Sequence, residues 1–211
     1  MLLELRRIDV PLGQHIVLQD VTWQEFETIL AELGEHRSTR LAYENGMLEI
    51  MMPLPEHEYN KEIVGDLIKA LLEELDIEFC SLGSTTFKKL YSTGLEPDQC
   101  FYIQNERAIR GKKRIDLSID PPPDLAIEID ITSRTHPSIY ESLGVPELWR
   151  LERGSLQINV LQSGKYEQVS RSPNFPNFSI DLMIPHYLQV SVTIGRNKAL
   201  RAFRQRVREQ L

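Results

Sequence analysis

The stretch Asp124-Leu125-Ala126-Ile127-Glu128-Ile129-Asp130-Ile131 decides how this chain folds. It is a short, almost continuous apolar run, as expected of a strand buried on both faces at the centre of a sheet. Two acids interrupt it. Side chains at i and i+2 of a strand share a face, so Glu128 and Asp130 point to the same side, and Asp124 has the same parity. A buried carboxylate without a partner costs several kcal/mol, on the order given for desolvated charges. Glu128, with Leu125, Ala126, Ile127 and Ile129 around it, is therefore hard to read as a solvated surface acid. Asp124, directly after Pro121-Pro122-Pro123, reads as a turn acid.

Outward from this strand, the pattern alternates between helix and sheet. Thr22-Trp-Gln-Glu25 is a capping box opening an amphipathic helix that ends near Gly34, with Trp23, Phe26, Ile29, Leu30 and Leu33 as its buried stripe. Asn45-Gly46 joins the strand-like runs 40–44 and 47–52 as a hairpin, because both turn positions favour residues that accept positive φ. A helix follows Glu56, with Ile63, Val64, Leu67, Ile68, Leu71, Leu72 and Leu75 on one face. Strands are expected at 77–80, 85–90, 99–103, 125–131, 147–151, 156–161 and 166–171, with a short helix at 137–143 stopped by Gly144. A last helix covers 198–210. The class is mixed α/β: a single domain over residues 1–195, with residues 196–211 as a basic C-terminal helix on it.

The chain has 211 residues, 41% of them apolar and 26% charged, enough to build a core without a disulfide or metal staple. Its 24 basic and 31 acidic residues give a formal net charge of -7, which argues against a protein that coats nucleic acid. The charge is divided. Residues 196–211 hold six basic side chains and one acid, leaving an acidic body of 18 basic and 30 acidic residues. Glu4, Arg6 and Arg7 break any apolar stretch at the N-terminus, and Leu182–Gly195 is too short and too interrupted for a membrane span. A cytoplasmic protein without membrane contact is expected, with Cys80 and Cys100 as reduced core residues.

Thirty residues before Glu128, Pro97-Asp98 opens another strand. With Asp98 at the edge of the neighbouring strand, two or three carboxylates converge. Like charges that close are costly unless a cation neutralises them, which points to a hard divalent metal with oxygen ligands, Mg²⁺ or Mn²⁺, suited to phosphoryl chemistry.

The string from Gly94 to Ile103 containing Pro97-Asp98, the segment Asp120–Ser133 containing Glu128, and Tyr140 with Gly144-Val-Pro-Glu-Leu-Trp149 together resemble the Uma-two-type family of proposed restriction endonucleases, within the PD-(D/E)XK nuclease-like superfamily. The resemblance runs from about Tyr43 to Leu188. It implies a restriction-endonuclease-like core, a mixed central sheet flanked by helices, with the N-terminal helix and hairpin and the C-terminal helix added. It also implies Mg²⁺-dependent hydrolysis of nucleic-acid phosphodiesters by a metal-activated water. Asp98 matches the first acid of the pattern and Glu128 the second. Glu49, in the hairpin, resembles the family's early acidic position and is a further candidate metal ligand. His57 resembles the family's histidine at the start of the next helix, placed to contact phosphate or move a proton.

The chain departs from the pattern two residues after Glu128, where the superfamily's lysine is replaced by Asp130. An aspartate can bind metal or act as a base, but it supplies no positive charge. Lys88 or Lys89, of which strand alternation sends one inward, and His136, four residues before Tyr140, are candidate substitutes. Arg107, Arg110, Lys112, Lys113 and Arg114 put five basic residues into eight, in the loop between the acid-bearing strands, where they would meet phosphates beside the site. The partner expected is nucleic acid, DNA foremost, with a homodimer as a simple way to cut both strands. The alternative is a nuclease fold that binds nucleic acid or a protein partner without cutting.

Overall fold

The computed structural model describes residues 10–34, 39–83, 85–89, 93–130 and 137–211. Strand β1 (His15–Leu18) leads to Thr22, whose side chain accepts from the Glu25 amide while Glu25 reaches back to the Thr22 amide. This reciprocal cap starts α1 (Trp23–Leu33). The hairpin follows as β2 (Arg40–Glu44) and β3 (Met47–Met51), with Asn45 and Gly46 both at positive φ. Next comes α2 (Pro55–Glu74), with proline in its first turn, where the missing N–H costs nothing.

Short strands β4 (Cys80–Ser81), β5 (Phe87–Lys89), β6 (Thr93–Leu95) and β7 (Gln99–Tyr102) precede the one-turn helix α3 (Glu106–Ile109) and the central strand β8 (Leu125–Asp130). Then come α4 (Pro137–Leu143), β9 (Glu147–Glu152), β10 (Ser155–Gln162), β11 (Lys165–Val169), α5 (Ile180–Ile194) and α6 (Arg196–Arg208).

The strands form two sheets, where the sequence suggests one. The six-stranded sheet runs β11-β10-β9-β8-β7-β4 and is mixed, with β8 and β9 parallel and the other pairs antiparallel. On one of its faces Leu125, Ile127 and Ile129 pack with Trp149 and with the apolar sides of α2, α5 and α6. The hairpin lies in a second sheet, β1-β3-β2-β6-β5, whose Leu41, Tyr43, Leu48 and Ile50 pack on Phe26 of α1. Between the sheets, Phe87 and Leu95 of one meet Cys100, Tyr102 and Ala126 of the other, together with Ile139, Tyr140 and Leu143 of α4. That joint brings the polar face of the hairpin towards the ends of β7 and β8.

Several elements differ from the sequence reading. The strand expected at 77–80 is only Cys80–Ser81, because the Ile77 amide bonds the Leu72 carbonyl and Asp76 takes positive φ, extending the helix exit. Helix α5 forms around Pro185, in a stretch to which the sequence pattern assigns no helix. Ile180, Met183, Ile184 and Leu188 recur at helical spacing and bury in the main core, which outweighs one lost backbone bond. Strand β6 carries Gly94, and a Cβ there would lie 2.5 Å from the ring of Phe26. Phe26 in turn stacks on Tyr43, with centroids 4.8 Å apart. Gly94→Ala should therefore destabilise the protein by about 1–3 kcal/mol through overpacking, seen as a lowered Tm in thermal unfolding. An unchanged Tm would contradict this packing.

Candidate active site

The site is built where β7 begins, β8 ends and α2 starts. Gln99 pairs with Ile127, so the register continued by one residue sets Asp98 opposite Glu128. Asp98 is 2% exposed, and its Oδ2 accepts from the Ile129 amide at 2.8 Å. The same oxygen lies 3.0 Å from Nε2 of His57, in the first turn of α2, and Oδ1 lies 3.5 Å from Nη2 of Arg40 on β2. Arg40 also donates to the Pro97 carbonyl at 3.3 Å. One buried carboxylate thus draws together both sheets and a helix.

Glu128, also buried, accepts a hydrogen bond from the Tyr140 hydroxyl of α4. Asp130 shares its face but is turned to Arg150, which pairs with Glu128 in the β8–β9 register and donates to Asp130 from Nε at 2.9 Å and also from Nη2. The Asp130–Arg150 pair is almost wholly buried. Glu49 lies in register with Ala42, on the hairpin face that also carries Arg40, and is half-buried. Among the described residues, no three His, Cys, Asp or Glu side chains are gathered into a metal-holding group. The four-acid set of Asp98, Glu128, Asp130 and Glu49 is thus not drawn together into one cluster.

The positive charge around Asp98 comes from His57, a candidate already legible in the sequence, and from Arg40, which the sequence does not single out. Glu58, half-exposed, lies 3.4 Å from Arg40 Nη2, 3.4 Å from His57 Nδ1 and in a hydrogen bond with the Lys61 ammonium. His57, Arg40 and Lys61 are all largely buried. Lys61 was legible in principle, being four residues after His57 and so on the same helical face. Arg40 was not, because its approach to Asp98 depends on how the two sheets pack.

The other candidates sit elsewhere. Alternation sends neither Lys88 nor Lys89 inward: β5 is an edge strand, and both lysines are exposed. Lys88 pairs with Glu27 of α1 at 2.8 Å and Lys89 donates to the Ser142 carbonyl of α4 at 3.0 Å. His136 lies outside the described residues. The basic loop follows β7, at the opposite end of the β7–β8 ladder from Asp98 and Glu128, rather than beside the acids. At roughly 3.3 Å per residue, the length of β7 separates them. Arg110 is held by Glu106 and Lys112 by Asp120, while Arg107, Lys113 and Arg114 are exposed. Asp124 is a turn acid, accepting from the amides of Ile103 and Asn105.

This architecture is that of a restriction-endonuclease-like protein, a mixed sheet with helices on its faces and acids at the ends of two central strands. The chain matches the Uma2 profile, described as "Putative restriction endonuclease", over residues 23–193, and belongs to that family. A crystal structure described as a putative nuclease belonging to DUF820, from Anabaena variabilis ATCC 29413, superposes with a TM-score of 0.53 at 14% identity, covering 80% of this chain and 98% of that one. At that identity the likeness concerns the fold. No curated protein matches the chain. No helix among the described residues is long and apolar enough to cross a membrane.

Burial opposes charge on His57, but the Asp98 and Glu58 carboxylates outweigh both it and the repulsion of Arg40, and push the imidazole up to about 9. The same imidazole, with Lys61 and Arg40, holds Glu58 well below the usual carboxylate range. A raised folded-state value means that His57 contributes stability fully below about 6.5, lost as pH rises through about 9. An NMR titration of the metal-free protein should find the His57 ring titrating near pH 9, and Asp98→Asn should return it towards the ordinary value near 6.5. Titration near 6.5 in the unaltered protein would contradict the His57–Asp98 pairing.

Proposed function

We propose that this chain is a divalent-cation-dependent endonuclease hydrolysing phosphodiester bonds of nucleic acid, DNA foremost. The observation that carries the reading is the pair of buried carboxylates, Asp98 and Glu128, at the meeting ends of neighbouring strands in a chain of this family. Two oxygen-donor side chains suit Mg²⁺ or Mn²⁺, which keep several waters and take the rest of their shell from substrate phosphates. Asp98 and Glu128 would hold the ion, which when bound supplies an activated water and neutralises charge on the phosphate.

The protein's part is to hold these groups still. The Ile129 amide and His57 fix the Asp98 carboxylate, and the Tyr140 hydroxyl orients Glu128 from α4. Asp130 is neutralised by Arg150, so its replacement of the superfamily's lysine adds no unpaired negative charge to this face. Glu49 faces the same side of the hairpin as Arg40 and is a further candidate for a metal-bound water. Two copies acting together would cut both strands of a duplex.

One observation favours a second reading, a nuclease fold that binds nucleic acid or a protein partner without cutting. Position 130 carries an acid, and the nearest cation on that face, Arg150, is engaged with it. Incubation of supercoiled and linear DNA with Mg²⁺ or Mn²⁺ separates the two. Cutting is expected, and Asp98→Asn and Glu128→Gln should each slow it by at least ~10²-fold, as befits loss of several kcal/mol of charge stabilisation. Circular dichroism checks that both variants are folded. Cutting that survives both changes would overturn the assignment, and salt-sensitive DNA binding without cutting would favour the second reading.

A further inference from the structure

Three cationic side chains from two elements converge on one carboxylate that belongs to no core. Arg40 reaches Glu58 Oε1 from β2 at 3.4 Å, His57 Nδ1 faces the same oxygen at 3.4 Å, and the Lys61 ammonium binds Oε2. The side chains of Arg40, His57 and Lys61 are 12%, 6% and 11% exposed, whereas that of Glu58 is 41% exposed. The cations are therefore the buried partners, and the carboxylate is the group open to solvent. His57 Nδ1 is also buried without a hydrogen-bond partner among the described residues, because its approach to Glu58 lacks hydrogen-bond geometry. A buried ring nitrogen that meets a half-exposed carboxylate only as an ion pair, without hydrogen-bond geometry, marks a place that a better-fitting anion would fill. Its other nitrogen is tied to Asp98, so the ring cannot turn away without breaking that contact.

We propose that Arg40, His57 and Lys61 form a phosphate cradle and that the Glu58 carboxylate is an internal plug occupying it. A phosphate offers three or four oxygens where the carboxylate offers two, so it satisfies the guanidinium, the ammonium and His57 Nδ1 together. The half-exposed Glu58 side chain swings out to admit it. That the phosphate belongs to a nucleic-acid backbone rests on the nuclease reading, whereas the cradle itself stands on the geometry alone. Lying against Asp98, the cradle would hold a backbone phosphate beside the site and supply the positive charge absent at position 130.

The probe is inorganic phosphate, titrated calorimetrically into the 211-residue protein in EDTA, where no cleavage takes place. Glu58→Gln keeps the side-chain volume and removes the plug's charge. It should bind phosphate at least ~10-fold more tightly than the unaltered protein, the gain expected when a competing charged hydrogen-bonding group is withdrawn. Adding Lys61→Met to Glu58→Gln should abolish that gain, with thermal unfolding verifying that the double variant is folded. Phosphate binding that is no tighter in Glu58→Gln, or that is unmoved by Lys61→Met, would overturn the cradle, whatever the cleavage assay shows. Tightened binding with no cleavage under Mg²⁺ would uphold the cradle and count against the nuclease reading, so the two fail separately.

Discussion

The carboxylate of Asp98 is the constraint on which the rest depends. It is buried, and a buried charge is tolerated only when its surroundings answer it. The answer comes from the Ile129 amide on β8, His57 on α2 and Arg40 on β2, three different elements of the fold. Removing the charge would leave the opposite charges uncompensated, so the same group that organises the candidate chemistry also locks the hairpin sheet and the main sheet into register.

From Asp98 the charges alternate outward. His57 and Arg40 lie against it, Glu58 lies against both, and Lys61 closes the row on the Glu58 carboxylate. On β8, Asp130 and Arg150 neutralise each other one strand away. The net charge of -7 accordingly says little about this region, where acids and bases are nearly matched in space. Half of the basic tail is likewise spent locally: Arg204 binds Glu73 and Glu74 of α2, Arg208 binds Glu74, and Arg196 binds Asp66.

Elements governed by local chemistry were legible in the sequence. The Thr22–Glu25 box, the Asn45-Gly46 turn and the apolar run of β8 each carry their cause within a few residues. Strand β6 was not legible, because three residues including Gly94 form a strand only when β2 offers an edge and Phe26 needs the room. Helix α5 was obscured by Pro185, whose cost is local while the compensating burial is tertiary. At the site, Glu128 could be picked out because an acid flanked by apolar strand residues needs a reason, and Asp98 because Pro97-Asp98 opens a strand thirty residues earlier. Arg40 could not, since nothing near it in sequence announces Asp98 or Glu58, whereas the pairing of Glu58 with His57 and Lys61 lies within one helical turn. The basic loop was misplaced for a related reason: lying between two acid-bearing strands in sequence does not say at which end of the ladder it sits.

The most direct test is a crystal of the protein soaked in Mn²⁺ and examined by anomalous scattering. A manganese ion should appear bound to the carboxylates of Asp98 and Glu128, with Arg40 drawn back from Asp98 Oδ1 to make room. No anomalous peak between them at saturating Mn²⁺, with Arg40 still against Asp98, would contradict the assignment of these two acids as the metal site.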